Sequence, residues 1–407
     1  MFKFGDLWGI AQVCDSTNCC DKIKLRNSKE DMKFQADREV LSDAISFVVR
    51  LLSPKPQLPQ LSGVMIEAKD NQVTLSIFDY EVAAKVSISA AIDQPGKVLV
   101  QARLLAEIVS KLPADSVTLN FTESRVLVSS GSSKFSLSSM STSDYPETPN
   151  SPAVSGKVSA SDFAHAVSQV AVAASREEVT PVLTAVMISA GSKEINLVAT
   201  DRFRVAVSSV SWQGAATEKE ILLPARVISE IAKTFSHEGD LEIAFGDGER
   251  EMVGFSAANK TVSTATIKGK YPAVMQLFPQ NVDNFAVVST QDLQSATKRV
   301  ALVVDREKPL RYKFEGSELS LESIGSDVAD ASEQISCSLT GQETTVSLRP
   351  QFLTDALSGI SSDTVKLGFT VNPSNPNKPG PVLISAADPK GSDSGFKYLL
   401  QPNLLVS

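Results

Sequence analysis

The stretch PVLTAVMISAGSKEINLVATDRFRVAV (181–207) decides the fold, because an earlier segment repeats its pattern. That segment is PQLSGVMIEAKDNQVTLSIFDYEVAAKV (59–86). Each begins with a proline, and an aspartate follows 20 residues later, at Asp79 and Asp201. A weaker third copy, PLRYKFEGSELSLESIGSDVADAS, begins at Pro309. The chain therefore contains an internal repeat, which has to be recognised before any single element is assigned.

A second block of sequence recurs after each copy and gives the length of the repeat. Its three versions begin LVQARLLAEI, LLPARVISEI and SLRPQFLTDA, and they align at Ala102, Ala225 and Pro350. The aligned positions lie 123 and 125 residues apart, which is the size of a domain and not of a short solenoid repeat. The spacing predicts three domains, at residues 32–151, 152–283 and 284–407, after a leader at residues 1–31.

Each repeat shows two helical patterns among short strands. In the first helix of repeat one, Leu41, Ala44, Ile45 and Val48 follow the i, i+3, i+4, i+7 spacing of an amphipathic helix. The second helices are expected to begin three residues after the aligned positions, and Ser161 and Thr290 are expected to be N-caps. The remaining sequence alternates with period two between turn residues. The predicted fold class is α+β, with two helices and about eight strands in each domain.

Composition excludes several classes of protein. The net charge of −8 argues against a conventional basic nucleic-acid binder. Four cysteines and two histidines without repeated spacing do not form a zinc motif, and His165 and His237 are interpreted as structural residues. Neither a dinucleotide-binding nor a P-loop signature is present, so no cofactor is predicted. The sequence shows no signal peptide or membrane span, which predicts a cytoplasmic protein with reduced thiols.

The segment TDRFR invites an interpretation as a catalytic Asp–Arg pair. Asp201, however, occupies the same position as Asp79 in the first repeat, where FDYEV contains no arginine. A carboxylate shared by two repeats at one turn is better explained by turn capping. Two alternatives stay open at this point. One is a β-rich repeat scaffold of the adhesin type, and the other is an enzyme, against which the lack of a recurrent catalytic constellation argues.

From Met32 to near its end, the chain resembles the bacterial DNA polymerase III beta subunit, the sliding-clamp family. The resemblance rests on MKFQADREVL, LPQLSGVMIEA, TPVLTAVMI, VATDRFRVAV, LLPARVISEI, GKYPAVMQLFP and the closing YLLQP, in that order. It implies the DNA-clamp fold of three similar domains, each with two helices backed by antiparallel sheets. It also implies a head-to-tail homodimeric ring around duplex DNA, a processivity factor and not an enzyme. The leader has no counterpart in the family, so we expect it to be disordered or a start-site artefact.

The resemblance also assigns roles to basic residues. A ring that slides needs few phosphate contacts, because each neutralised phosphate adds affinity through counterion release, and this agrees with an acidic chain. The residues expected to face DNA are Lys55, Arg103, Arg226, Arg38, Arg50, Arg176, Lys233, Lys298 and Arg299. Solvated faces of amphipathic helices are the simpler interpretation of the same charges.

Partners are expected to insert short Leu- and Phe-containing peptides between domains two and three. These partners are the replicative polymerase alpha subunit, the clamp loader, other polymerases and repair proteins. The matching positions, with the flanking residues at which this chain departs from the family, are Leu183, Thr200, Arg202, Phe203, Arg204, Val205, Pro272, Gln276, Leu277, Phe352, Leu399, Leu400, Gln401, Pro402, Asn403 and Leu404. Arg204 is expected to be the polar clamp of an otherwise apolar cleft.

Several positions depart from the family's usual pattern. The family commonly has Thr-Asp-Gly-His-Arg where this chain has Thr-Asp-Arg-Phe-Arg, so Arg202 and Phe203 are substitutions. Gln276 stands where an arginine is frequent, and Arg349 where an asparagine is frequent. The tail QPNLL also differs. These changes predict an altered partner preference, centred on Arg202 and Phe203.

Overall fold

The structure is a computed structural model. It describes residues 31–403 apart from 123, 144, 150, 178, 217–219, 247–250, 306, 325–328, 372–378 and 389–394. The predictions for the leader, except its last residue, and for Leu404 lie outside the described residues. The described residues form two compact units, one within residues 31–77 and 86–146 and the other within residues 78–85 and 147–403. The domain boundaries derived from the repeat remain predictions. Among the described residues, no helix is long and apolar enough to span a membrane.

Two α-helices lie in each repeat of the described chain. They are α1 (Arg38–Leu51), α2 (Ala102–Ser110), α3 (Ala160–Ala171), α4 (Ala225–Phe235), α5 (Thr290–Val300) and α6 (Pro350–Ser358). The two helices of a repeat pack against each other. Leu41, Ala44, Ile45 and Val48 of α1 are all buried, which confirms the predicted apolar stripe.

The first repeat is built from antiparallel strands. Its strands are β1 (Met32–Asp37), β2 (Gly63–Lys69), β3 (Gln72–Phe78), β4 (Val82–Ser89), β5 (Ala91–Gln94), β6 (Gly96–Gln101), β7 (Ser116–Thr122), β8 (Arg125–Ser130) and β9 (Ser133–Met140). Strand β1 pairs with β5 and β7, and the ladder continues through β8, β9, β6 and β2 to β3. The predicted strands VTLSIF, RVLVSS and KFSLSSM are confirmed here.

The second and third repeats follow the same plan. The strands of the second repeat are β10 (Gly156–Ser159), β11 (Ala185–Ala190), β12 (Glu194–Thr200), β13 (Arg204–Ser211), β14 (Gln213–Gly214), β15 (Ile221–Pro224), β16 (Asp240–Phe245), β17 (Met252–Ala257) and β18 (Lys260–Ala265). Those of the third are β19 (Phe285–Ser289), β20 (Leu310–Glu315), β21 (Glu318–Ser323), β22 (Ser332–Thr340), β23 (Thr344–Leu348), β24 (Thr364–Val371), β25 (Pro379–Ala386) and β26 (Lys397–Leu400).

Strand β26 joins the third repeat to the second. It pairs with β25 of its own repeat and with β13 of the second repeat, and both pairings are antiparallel. Its register places Leu400 opposite Arg204 and Leu399 opposite Val205. The strand pairings therefore run without a break from β15 through β11, β12, β13, β26, β25, β24 and β19. This continuity places Lys397–Leu400 beside β13 and next to the TDRFR turn.

Two predictions about helix starts are wrong. The second helices begin at the aligned residues themselves, Ala102, Ala225 and Pro350, and not three residues later. The first turn of a helix needs no apolar stripe, so the apolar spacing alone placed the start too late. The predicted N-caps Ser161 and Thr290 lie inside helices. The caps are Ser159 and Ser289, whose hydroxyls accept from backbone N–H groups three residues on.

Candidate partner-binding site

The turn at residues 200–204 connects β12 to β13 and is held by its own side chains. The Thr200 hydroxyl donates to the Arg204 carbonyl at 2.7 Å and accepts from the Arg202 N–H at 3.2 Å. The Asp201 carboxylate accepts from the N–H groups of Phe203 at 3.0 Å and Arg204 at 3.2 Å. Arg202 has a φ of 78°, in the left-handed region that favours glycine. The turn is thus fixed locally and displays Arg202 and Phe203 on the surface.

The equivalent turn of the first repeat has the same construction. The Asp79 carboxylate accepts from the N–H groups of Glu81 at 3.1 Å and Val82 at 2.7 Å. Tyr80, at the position that matches Arg202, has a φ of 73°. The predicted capping role of both aspartates is confirmed. The first and second repeats therefore share a left-handed residue at this position of the turn, and only the type of residue differs between them.

Arg204 connects the second repeat to the third. Its side chain is 7% exposed, and its guanidinium pairs with Asp201, at 2.8 Å from Nε, and with Asp355 of α6. It also donates to the Tyr398 hydroxyl at 3.1 Å and lies over the Phe352 ring, 4.2 Å from the ring centre. The Nε and Nη1 donors of Arg204 are thus bonded within the chain, and its role as a clamp for a peptide stays a prediction. In this structure Arg204 fastens α6 and β26 to the turn.

The ionisation of this cluster follows from its packing. Burial alone would lower the pKa of Arg204, but Tyr398, Asp355 and Asp201 together raise it above its ordinary value. Burial raises the pKa of the Tyr398 hydroxyl, and Arg204 opposes that rise only in part. The cluster therefore consists of a charged guanidinium and a neutral phenol at neutral pH.

An apolar cavity of about 200 Å³ opens beside the turn. Six of its lining residues are among the predicted positions: Leu183, Thr200, Arg202, Val205, Pro272 and Leu277. The other three are Thr180, Val182 and Val274. Leu183 and Val205 form buried walls, while Leu277 is 53% exposed at the opening. We call this space the apolar cavity.

A larger cavity of about 690 Å³ is lined by Asp201, Phe203 and Arg204 of the same turn, and we call it the charged cavity. Phe203, which is 51% exposed, stacks on Phe352 with ring centres 6.4 Å apart. The Arg349 guanidinium lies over both rings, at 5.0 and 5.3 Å, and its Nη1 pairs with the Glu307 carboxylate at 3.0 Å. Different residues of one turn therefore line an apolar space and a space lined by charges and aromatic rings.

The remaining predicted residues lie around these cavities. Leu399 belongs to the buried cluster that backs the apolar cavity, together with Val205 and Val274, and Leu400 is fully buried. The Gln401 N–H donates to the Phe203 carbonyl at 2.9 Å, and the Asn403 N–H donates to the Ser347 carbonyl at 2.8 Å. Pro402 is buried and Gln276 is exposed on the 3₁₀ turn Val274–Leu277. Of the tail, Gln401 therefore contacts the turn directly.

Comparison with known proteins identifies the family. Models of the N-terminal, central and C-terminal domains of the DNA polymerase III beta subunit match residues 32–149, 157–273 and 275–389 in turn. The chain belongs to the DNA polymerase III beta subunit family. The beta sliding clamp of Micrococcus luteus is 40% identical over 76% of this chain and 100% of its own length. That of Streptomyces coelicolor is 36% identical over 91% of this chain and 99% of its own length.

A solved structure agrees on the fold. The DNA polymerase sliding clamp of Bacillus subtilis superposes with a TM-score of 0.84 at 22% identity, covering 93% of this chain and 100% of that one. The chain thus has the three tandem domains of the clamp family. As a member of that family it is a non-catalytic processivity factor of DNA replication, which sets aside the scaffold and enzyme interpretations.

Sequence reasoning missed several residues at the junction of the second and third clamp domains. Thr180, Val182 and Val274 line the apolar cavity, and they lie next to residues that were predicted. Asp355 and Glu307 pair with the arginines, but nothing in the sequence singles out these carboxylates among many. Arg176, expected to face DNA, lines the charged cavity.

The basic residues assigned to DNA differ in how far they are paired. Arg38 pairs with Glu39 at 2.9 Å, Lys233 with Glu230 at 3.1 Å, and Arg299 with Glu333. Six others form no ion pair with a described residue, and all of them are exposed: Lys55, Arg103, Arg226, Arg50, Arg176 and Lys298. Arg176, Arg226 and Lys233 also line a common cavity of about 770 Å³ beside α3 and α4.

Proposed function

We propose that this sliding clamp binds its partners through the apolar cavity, which receives one large apolar side chain of a short Leu- or Phe-containing peptide. The observation that carries the proposal is the cavity itself, with buried walls at Leu183 and Val205 and a half-exposed Leu277 at its opening. Its volume of about 200 Å³ is below the roughly 300–1,000 Å³ of small-molecule pockets, so it suits a side-chain anchor.

The surface around the opening supports the same function. Phe203, Met275 and Leu277 are between 51% and 53% exposed and lie on the turn and on the 3₁₀ turn Val274–Leu277 that border the site. Large apolar side chains left half in water are typical of a surface that a partner covers. Interfaces of this type place a buried anchor in a pocket and surround it with contacts that exclude water.

We also propose that two copies close head to tail around duplex DNA. Three of the unpaired cations, Lys55, Arg103 and Arg226, are the residues that we expect to face the phosphates, and Arg103 and Arg226 occupy matching positions on α2 and α4. A few exposed cations on an acidic chain favour sliding over tight binding, because each phosphate contact adds affinity. We propose that the protein acts in the bacterial cytoplasm. Its proposed partners are the polymerase alpha subunit, the clamp loader and repair proteins.

The partner site is tested by peptide binding to the full chain. A fluorescently labelled peptide with the core Leu-Phe is titrated with the wild type and with Leu277→Asp, and anisotropy is recorded. A charge at the opening removes an apolar contact worth about 1.5–3 kcal/mol, so affinity should fall by at least about tenfold. Leu104→Asp is the matched control, since Leu104 is 46% exposed on α2 and is not among the residues that line the cavity. Equal losses in both variants, or no loss in Leu277→Asp, contradict the proposed site.

A further inference from the structure

We propose that Arg202 makes the apolar cavity selective for peptides that carry a carboxylate next to their apolar anchor. The inference rests on the proposed peptide-binding function and adds the charge of the preferred partner. Arg202 is the only charged residue among the described residues that line this cavity. The other lining side chains are apolar or are threonines, so a charged group on a bound peptide has a single cation to meet.

Arg202 is placed at the rim by one bond. Its Nη2 donates to the Thr180 hydroxyl at 2.9 Å, and Thr180 also lines the cavity. Arg202 is exposed and forms no ion pair with any residue in the described part of the chain. A guanidinium has five N–H donors in a planar fork that matches a carboxylate, so a single hydroxyl leaves most of its bonding capacity for a ligand.

The neighbouring arginines Arg204 and Arg349 form ion pairs with carboxylates of the chain. Arg204 pairs with Asp201 and Asp355, and Arg349 pairs with Glu307. Asp201, the carboxylate adjacent to Arg202 in sequence, is therefore already bound to Arg204 and to two backbone N–H groups. Arg204 and Arg349 of the charged cavity are therefore balanced by carboxylates within the chain, whereas Arg202 forms no ion pair with a described residue.

The backbone conformation of the turn fixes where the Arg202 side chain begins. The turn requires a left-handed residue, as the φ values of 78° at Arg202 and 73° at Tyr80 show. Glycine adopts this conformation without strain, and an arginine does so only at a cost. The strain here holds a guanidinium at the mouth of an apolar cavity.

The experiment is a double-mutant cycle on the full chain. Two peptides are compared, Ala-Leu-Asp-Leu-Phe-Gly and the same peptide with Asn in place of Asp, together with a second pair that has the Asp or Asn before the first Leu. Each is titrated with the wild type, Arg202→Gln, Arg202→Lys and the control Arg125→Gln, whose exposed arginine lies on β8 of the first repeat. The Asn peptides report whether each variant keeps a working cavity.

We expect the wild type to bind the Asp peptide of at least one pair about two- to fivefold more tightly than the matching Asn peptide. This is the range for a solvent-exposed ion pair. The preference should vanish in Arg202→Gln, persist in Arg202→Lys and Arg125→Gln, and weaken between about 0.05 and about 0.5 M salt because exposed charges are screened. An equal affinity of the wild type for Asp and Asn in both pairs overturns the inference, and so does an undiminished preference in Arg202→Gln. Failure of all four peptides to bind the wild type instead rejects the proposed partner site itself.

Discussion

Replacing Arg204 by methionine removes the cation that joins the second and third repeats while keeping a side chain of similar length. In the wild type the Arg204 side chain is 7% exposed, and its partners Asp201 and Asp355 are 12% and 18% exposed. The substitution leaves both carboxylates nearly buried without their counter-ion. It also removes the contact with the face of the Phe352 ring.

The expected loss in the free energy of unfolding depends on the hydrogen bonds that each carboxylate retains. Breaking a buried ion pair by removing one partner costs about 3–5 kcal/mol. Asp201 keeps its two backbone N–H donors, and Asp355 keeps a bond from the Gln351 side chain at 2.7 Å. These bonds compensate in part, so we expect the lower end of the range, about 3 kcal/mol. At roughly 2–4 °C per kcal/mol for a body of this size, the melting temperature falls by about 6–12 °C.

Differential scanning calorimetry of the full chain measures this loss, with Arg349→Met as the matched control. Arg349 also lies over Phe352, but its partner Glu307 is 82% exposed, so the control should lose less than about 1 kcal/mol. Adding Asp355→Asn to Arg204→Met should recover part of the stability, because it neutralises one of the stranded carboxylates. The reasoning is refuted if Arg204→Met and Arg349→Met lower the melting temperature equally.

The turns and caps give three further predictions, each measured by the midpoint of chemical denaturation. Arg202→Gly should leave the free energy of unfolding unchanged or raise it, because glycine adopts the positive φ of this position without strain. Arg202→Val should lower it by about 1 kcal/mol or more. The reverse order of the two variants would refute the claim that residue 202 is strained. Asp79→Ala should lower the free energy of unfolding by about 1 kcal/mol because a cap is lost. Asp201→Ala should lower it clearly more because it also breaks the ion pair with Arg204. Equal losses in the two variants would contradict this prediction. Ser159→Ala should cost about 1 kcal/mol and Ser161→Ala less than about 0.5, and the opposite result would restore the N-cap first predicted from sequence.

Local features of this fold could be predicted from the sequence. The threefold repeat, the apolar stripes of the helices and the alternating strands depend on residues close together in the chain, whose spacing is visible. The capping role of Asp79 and Asp201 was predictable for the same reason, since each carboxylate bonds to N–H groups within three residues. Helix starts were less accurate because a cap depends on a single hydroxyl and not on a periodic pattern.

The junction could not be predicted, because its contacts connect residues far apart in sequence. Arg204 and Asp355 are separated by 151 residues, and no local pattern selects this carboxylate as the partner. The pairing of β26 with β13 likewise depends on the third repeat folding back onto the second. The sequence therefore predicts Arg204 as a polar clamp, but it does not predict the ion pairs that bury this side chain at the junction.

Retention on circular DNA tests the central claim, that the protein works as a ring around duplex DNA, most directly. The full chain is loaded onto nicked circular plasmid by a bacterial clamp loader with ATP, the complex is separated by gel filtration, and bound protein is quantified before and after the plasmid is linearised. A ring that encircles DNA stays on the circles and slides off the cut ends, so retention should fall to near background. Equal retention on circular and linear DNA would contradict encirclement and indicate ordinary surface binding.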